Sequence, residues 1–298
     1  MTTGLTNNES TFQKIVRLLR WHKPAGRLIL MLPALWATVA AAKSQHQLPP
    51  IDLLGVVILG SLTTSAAGCV INDLWDRDID LKVDRTKNRP LAERSLSIQV
   101  GIAVLVAAGL CAFLLSTYLN PLSFGLCFAA VPVIVIYPAC KRFFPLPQLV
   151  LSIAWGFAVL IPWSAVTGGL DRHAWELWTA VIAWTMGFDT IYAMSDRLDD
   201  LKVGINSSAI FFGKYVTLAI AIFLAIALSS LIVLGWELQL GYAHYIACAI
   251  AGIIWLWHCN RLSQAEIATE LYQQAFGQNV WIGFIILAGM LPSSLGLN

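Results

Sequence analysis

The chain has 298 residues, of which 58% are hydrophobic and 12% are charged, and its net charge is +2. This composition excludes an ordinary soluble domain, whose surface carries more charge, and a disordered chain, which contains fewer apolar residues. It indicates an integral membrane protein. The 12 Trp and 7 Tyr agree with this, because these side chains anchor membrane proteins at both lipid–water interfaces.

Apolar segments near the ~20-residue length that crosses a bilayer recur along the chain. We predict nine transmembrane helices, at residues 25–42, 51–71, 97–118, 121–138, 147–167, 175–195, 214–234, 240–258 and 276–295. The polar and basic residues 1–24 precede them. The predicted fold class is therefore an all-α membrane protein, with an N-terminal segment (1–24) and one transmembrane domain (25–298) whose nine helices surround a central cavity.

The basic residues predict the orientation of this domain. Nine helices divide the 19 Lys and Arg residues 17 to 2 between the two sides of the membrane. Loops rich in Lys and Arg stay in the cytoplasm, so we expect a cytoplasmic N-terminus and an external C-terminus. We expect a multi-pass protein of the bacterial inner (plasma) membrane or an equivalent membrane.

Two acidic clusters follow the second and sixth predicted helices, on the cytoplasmic side. The spacing of their members places each set on one face of a helix. The members are Asn72, Asp76 and Asp80 in the first cluster and Asp189, Asp196 and Asp200 in the second. Charged groups at membrane depth are costly, so these residues are functional candidates. Neighbouring carboxylates repel each other unless a cation lies between them, and Mg²⁺ suits such oxygen ligands and shares its shell with phosphates.

The four helices between the clusters suggest a parallel internal repeat, which would make the clusters face each other across the central cavity. Four other acidic residues lie off the two faces, and we expect helix caps or solvated ion pairs for them: Asp73, Asp78, Asp84 and Asp199.

Basic residues accompany the carboxylates along the chain. Together, Mg²⁺ and these cations would bind a diphosphate and stabilise the charge that grows as it leaves. The nearby cations include Lys23, Arg27, Arg77, Arg85, Lys87, Arg89, Lys141, Arg142 and Lys202. A role in topology alone is the alternative for any one of them. Two tyrosines, Tyr137 and Tyr192, are candidates to stabilise a carbocation through their rings, or simply to pack.

The run N-D-x-x-D-x-x-x-D at 72–80 and the run D-x-x-Y-A-M-x-D-R-x-D-D at 189–200 resemble the two signature motifs of the UbiA superfamily of intramembrane prenyltransferases. The resemblance covers roughly residues 20–290 and includes R-T-x-x-R-P-L at 85–91. The runs at 206–209 and 277–279 resemble the 4-hydroxybenzoate polyprenyltransferase branch.

This resemblance implies Mg²⁺-dependent transfer of a polyprenyl group from polyprenyl diphosphate to the ring carbon ortho to the hydroxyl of 4-hydroxybenzoate. That reaction is an early step of ubiquinone or plastoquinone-type quinone biosynthesis. The implied Mg²⁺ ligands are Asp76, Asp80, Asp196 and Asp200. The residues nearest the reacting groups are Asp189, Arg142 and Tyr192. The substrate-binding candidates are Asn72, Lys23, Arg27, Arg77, Lys87, Tyr137 and Lys141.

The implied partners are the two substrates and the lipid bilayer, with no nucleic acid and no obligate protein partner. Other acceptors remain open: homogentisate, a naphthoate, a chlorophyllide or haem. A membrane cation transporter is an alternative of another class, since intramembrane carboxylates also line ion paths. It is disfavoured, because these carboxylates stand at helix ends among cations that would repel a passing ion.

Overall fold

The computed structural model describes residues 9–264 and 269–297, and within these ranges the protein is α-helical with two short 3₁₀ turns and no β-strand. In chain order the helices are α1 (Thr11–Leu18), α2 (Ala25–Ser44), α3 (Ile51–Asp76), α4 (Ile98–Ser116), α5 (Pro121–Cys140), α6 (Pro147–Thr167), α7 (Arg172–Val203), α8 (Ser208–Phe212), α9 (Val216–Glu237), α10 (Gly241–Leu262) and α11 (Thr269–Ser294).

Eight helical segments in the described residues have the length and apolar composition needed to cross a membrane. They are α2 to α6, the segment from α8 to the end of α9, α10 and α11. The remaining long helix, α7, has 32 residues and covers the sixth predicted span. Its apolar middle lies between charged residues at both ends, which lowers its hydropathy. The eight helices agree with the sequence, and the ninth crossing stays a prediction.

Local signals in the sequence explain where the helices begin and end. Pro121 starts α5, and the side chain of Asn120 accepts a hydrogen bond from the Ser123 backbone N–H at 2.9 Å. Asp171 caps α7 in the same way, and Gly204 ends that helix with φ of 77°. Such caps satisfy backbone groups that lack a partner within the helix, so they fix the bounds of the helix that carries the second cluster.

The largest buried core lies among α2, α6, α7, α9, α10 and α11. Trp36 and Trp184 are almost fully buried there, with ring centroids 4.9 Å apart. Asn279 accepts hydrogen bonds from the indole N–H groups of Trp184 and Trp255, at 2.9 and 3.0 Å. Because buried polar groups are costly without partners, this network fixes α7, α10 and α11 relative to one another.

The structure corrects the predicted helical face of the first cluster. Helix α3 ends at Asp76, and Asp80 begins a 3₁₀ turn over Asp80–Lys82. Backbone bonds from Ile79 N to Asp76 O, 2.9 Å, and from Lys82 N to Ile79 O, 2.9 Å, tighten the chain at this point. Asp80 therefore reaches the site from a turn and not from the same helix face as Asp76.

Candidate active site

One large cavity, of about 1610 Å³, lies among α2 to α7. Its wall contains every member of the two predicted acidic clusters: Asn72, Asp76, Asp80, Asp189, Asp196 and Asp200. The expectation that the clusters share a central cavity is therefore confirmed. The first cluster comes from the end of α3 and the turn after it, and the second comes from the last four turns of α7.

Away from the carboxylates the cavity is apolar. Its wall follows α3 from Asp76 back to Val56, which at 1.5 Å per residue is a distance of about 30 Å. Small residues such as Gly60 and Gly68 line this part of α3, and Phe113 and Phe128 lie on the facing helices α4 and α5. The site thus joins a charged end to a long apolar arm.

Arg85 connects the loop after α3 to the second cluster. Its Nε donates to Asp196 Oδ1 at 2.9 Å and its Nη2 to Asp196 Oδ2 at 2.5 Å. Its Nη1 donates to the Tyr192 hydroxyl at 2.7 Å, and the guanidinium lies 4.9 Å from the ring centroid of Tyr192. Burial opposes the charge of Arg85, but the hydrogen bond to Asp196 and the nearby Tyr192 outweigh it and raise the pKa of the guanidinium.

Three cations neutralise the first cluster. Lys141 forms an ion pair with Asp76, and Arg142 Nη2 lies 3.4 Å from the same carboxylate. Arg89 Nη1 donates to Asp80 Oδ2 at 2.7 Å. Burial raises the pKa of Asp80, and Arg89 opposes this effect by stabilising the ionised form.

Asp73 does not have the predicted role of a cap or solvated pair. It is only 2% exposed and accepts hydrogen bonds from Arg20 Nη2 at 2.8 Å and Arg89 Nη1 at 3.1 Å. It is buried because α1 and the loop after α3 pack against this side of α3. Asp78, Asp84 and Asp199 do form solvated ion pairs, as predicted, with Arg94, Lys87 and Lys202.

The structure divides the predicted basic candidates. Lys23, Arg27 and Lys141 line the cavity. Arg77, Lys87 and Arg142 do not lie on the described wall of the cavity. Arg77 Nε donates to the Leu91 carbonyl at 3.2 Å, Lys87 pairs with Asp84, and Arg142 Nη2 donates to the Trp75 carbonyl at 2.6 Å.

Sequence analysis included Arg85 and Arg89 only among the cations near the carboxylates, without a specific role, and did not consider Arg17 or Arg20; all four line the cavity. Two of them stand in the run at 85–91, which supported the family resemblance, so a signal for them was present in the sequence.

The tyrosines lie where the cavity meets a small recess of about 140 Å³. Tyr137 donates a hydrogen bond to Asn72 Oδ1 at 3.3 Å, and the ring centroid of Tyr192 lies 4.8 Å from that of Phe276. Asp189 and Lys141 line both the recess and the cavity. Both tyrosines therefore contribute to the wall of the site and do not only pack in the core.

The donor set around the cavity fits a hard divalent cation, because it consists of carboxylate oxygens from two elements. Within residues 9–264 and 269–297, no three acidic, His or Cys side chains already stand close enough together to hold a metal ion. Instead, three of the carboxylates form ion pairs with cations: Asp196 with Arg85, Asp80 with Arg89 and Asp76 with Lys141. These cations are also groups that bind phosphate oxygens, so the chemistry of the side chains suits a metal ion together with a diphosphate.

A model described as the UbiA prenyltransferase family matches residues 30–290. A 4-hydroxybenzoate solanesyltransferase from Synechocystis sp. is 60% identical over 277 residues, which cover 93% of this chain and 94% of that protein.

Two solved structures share the fold. The apo structure of a UbiA homolog from Aeropyrum pernix K1 has a TM-score of 0.77 and 25% identity, over 89% of this chain and 97% of that one. A UbiA homolog from Archaeoglobus fulgidus bound to GPP and Mg²⁺ has a TM-score of 0.67 and 18% identity, over 92% of this chain and 99% of that one.

Proposed function

Since the chain belongs to the UbiA prenyltransferase family, we propose that it transfers a polyprenyl group from polyprenyl diphosphate to the ring carbon ortho to the hydroxyl of 4-hydroxybenzoate. This reaction is an early step in the biosynthesis of a ubiquinone or plastoquinone-type quinone. The observation that carries the proposal is the single cavity in which two acidic clusters and several cations meet an apolar arm about 30 Å long. The similarity to the Synechocystis solanesyltransferase supports the acceptor and a long prenyl chain.

The charged end of the cavity is the proposed diphosphate site. Asp76, Asp80, Asp196 and Asp200 would hold Mg²⁺, a proposal that the donor set supports and that agrees with the metal in the Archaeoglobus homolog. Bound there, the metal supplies positive charge to the leaving diphosphate. The cations Arg85 and Arg89 bind the remaining phosphate oxygens, and they stabilise the charge that develops when the C–O bond breaks.

The chemistry at carbon follows from what surrounds this end of the cavity. The departing diphosphate takes the electron pair of the C–O bond and leaves an allylic cation, which the ring of Tyr192 stabilises through its π-face. The acceptor ring forms the new C–C bond and then loses the proton from the attacked carbon, and the carboxylate of Asp189, which lines the recess, is the proposed base that takes it. The recess beside Asp189 and Tyr137, about 140 Å³, is the proposed place for the acceptor ring.

Burying the acceptor carboxylate requires a cation. Lys141 is the best-placed candidate because it lines both the recess and the cavity, and Lys23 and Arg27 stand farther along the same wall. Arg142 binds the Trp75 carbonyl and approaches Asp76. Its proposed role is to position the Asp76 carboxylate, in place of direct contact with the acceptor.

We further propose nine membrane crossings, with a cytoplasmic N-terminus and the active site open to the cytoplasm of the bacterial inner (plasma) membrane or its equivalent. The support is the 17 to 2 division of Lys and Arg, together with α7, whose apolar middle would be the ninth crossing. In this proposal residues 25–298 form one transmembrane domain, and the cytoplasmic segment 1–24 packs against it through α1.

The test is an assay of the purified full-length chain in lipid nanodiscs, with solanesyl diphosphate and 4-hydroxybenzoate. We expect a 3-polyprenyl-4-hydroxybenzoate product, no product in EDTA and recovery with Mg²⁺. Asp76→Ala and Asp196→Ala should each lower turnover on the order of a hundredfold, because a lost metal ligand removes several kcal/mol of charge stabilisation. Full turnover in EDTA would contradict the metal assignment, and product from homogentisate but not from 4-hydroxybenzoate would contradict the acceptor.

A further inference from the structure

Helix α1, which precedes the first long helix, contacts the loop that follows α3 through charged and apolar side chains. Arg17 on α1 pairs with Glu93 at 3.3 Å and donates to the Asn88 carbonyl, both in the loop 77–97. Leu18 is fully buried against Val70 of α3 and Leu91 of the same loop. Helix α1 therefore packs against both α3 and the loop that follows it.

The backbone at the end of α1 is unusual. Arg20 has φ of 55°, in the left-handed region that disfavours side chains other than glycine. Trp21 N bonds to Val16 O at 3.0 Å and Arg20 N to Arg17 O at 2.9 Å, the two bonds of a helix end that normally places glycine at this position. An arginine at this position has an unfavourable backbone conformation, which indicates that the contacts of its side chain compensate for the cost.

The side chain of Arg20 contacts a buried carboxylate on α3. Arg20 Nη2 donates to Asp73 at 2.8 Å, and Asp73 also accepts from Arg89, which in turn donates to Asp80. The ion pairs form one chain from α1 through α3 to the loop. The same loop carries Arg85, which reaches across to Asp196 of the second cluster.

We propose that α1 is a positioning element for the active site, acting through what we call the N-terminal brace: Arg17, Arg20 and Asp73. The brace holds the loop 77–97 so that Arg85 and Arg89 face the diphosphate end of the cavity. Asp73 is the buried anchor of the brace and does not bind metal. The effect on catalysis rests on the proposed function, whereas the effect on the loop does not.

The experiment compares Arg20→Gln, Arg20→Lys and Arg20→Gly in the full-length chain. Arg20→Gly removes the side chain while giving the turn its preferred residue, so a loss of stability in this variant reports the lost contact with Asp73 and not strain in the turn. We expect Arg20→Gln and Arg20→Gly to raise the KM for polyprenyl diphosphate about tenfold, with the KM for 4-hydroxybenzoate changed less than twofold. Arg20→Lys keeps the charge and should recover part of the loss.

Hydrogen exchange of the loop 77–97 provides a readout that needs no activity. We expect faster exchange there in Arg20→Gln and Arg20→Gly, and parent-like exchange in Lys14→Gln. Lys14 lies on the same helix, and the described residues provide no ion-pair partner for it. Parent-like exchange of the loop in both Arg20 variants would overturn the brace; a raised KM for polyprenyl diphosphate would then mean that Arg20, which lines the cavity, contacts the diphosphate directly. Faster exchange in a chain with no transferase activity would retain the brace and reject the proposed function.

Discussion

Arg85 and Lys87 stand in the same short loop, yet their side chains have opposite surroundings. Arg85 contacts Asp196 and Tyr192 on the cavity wall, whereas Lys87 forms an exposed pair with Asp84. Both residues carry the same charge and follow the same motif, so the local sequence alone does not rank them. Their contacts do, because a two-point guanidinium pair that is partly shielded from solvent contributes more than an exposed one-point pair.

This contrast gives a matched pair of variants. Arg85→Ala should lower kcat/KM for polyprenyl diphosphate on the order of ten- to a hundredfold, since a hydrogen bond to a charged group contributes about 1.5–3 kcal/mol. Lys87→Ala should stay within about twofold of the parent, because exposed ion pairs contribute about 0–1 kcal/mol. Steady-state kinetics of the two variants at fixed Mg²⁺ measure the difference. Equal losses would mean that Lys87 also reaches the diphosphate.

At the scale of helices, close approach depends on particular glycines. A Cβ on Gly289 of α11 would stand 2.6 Å from the Ala247 Cβ and 2.9 Å from the Ala243 carbonyl oxygen, both on α10. Neither atom can move without moving the helix. Gly277, on the same helix α11, has nothing within 4 Å of such a Cβ. The contact between α10 and α11 therefore requires glycine at one position and not at the other.

We expect Gly289→Ala to destabilise the protein by about 1–3 kcal/mol, the usual cost of overpacking a close contact. Gly277→Ala should be neutral or stabilising by up to about 1 kcal/mol, because alanine favours the helix. Thermal unfolding midpoints of the two variants in the same nanodiscs compare them directly. A midpoint loss of similar size in both variants would contradict this account, because a Cβ at Gly277 meets no neighbouring atom that could cause the loss.

At the scale of the whole molecule, the site depends on two distant parts of the chain meeting at one end of the helices. Arg85 and Asp196 are separated by 111 positions in the sequence. The segments 72–96 and 196–214, which lie at the two clusters, contain nine of the 19 Lys and Arg residues. An experiment that determines the orientation of the protein in the membrane therefore also determines the side on which its proposed active site opens.

Reporter fusions test that orientation. A reporter active only outside the cytoplasm should be active when fused after Asn298 and silent when inserted near Lys87, because the basic loops stay inside. A reporter active only in the cytoplasm, at the same two points, is the control for expression and should give the reverse pattern. An external signal from the insertion near Lys87 would refute both the cytoplasmic active site and the nine-crossing arrangement.

The sequence by itself determined what depends on local composition: the apolar lengths of the helices and the presence of two acidic clusters. It did not show that Asp80 leaves the helix of Asp76, because a 3₁₀ turn depends on the packing of the loop that follows.

Only the tertiary structure decided which cations share the cavity with the carboxylates. It separated Arg85 and Arg89 from Arg77 and Lys87, and it placed Asp73 between Arg20 and Arg89. The reason is physical: whether a charge is desolvated and paired depends on side chains from distant elements, and the positions of these elements are set by packing and not by spacing along one helix.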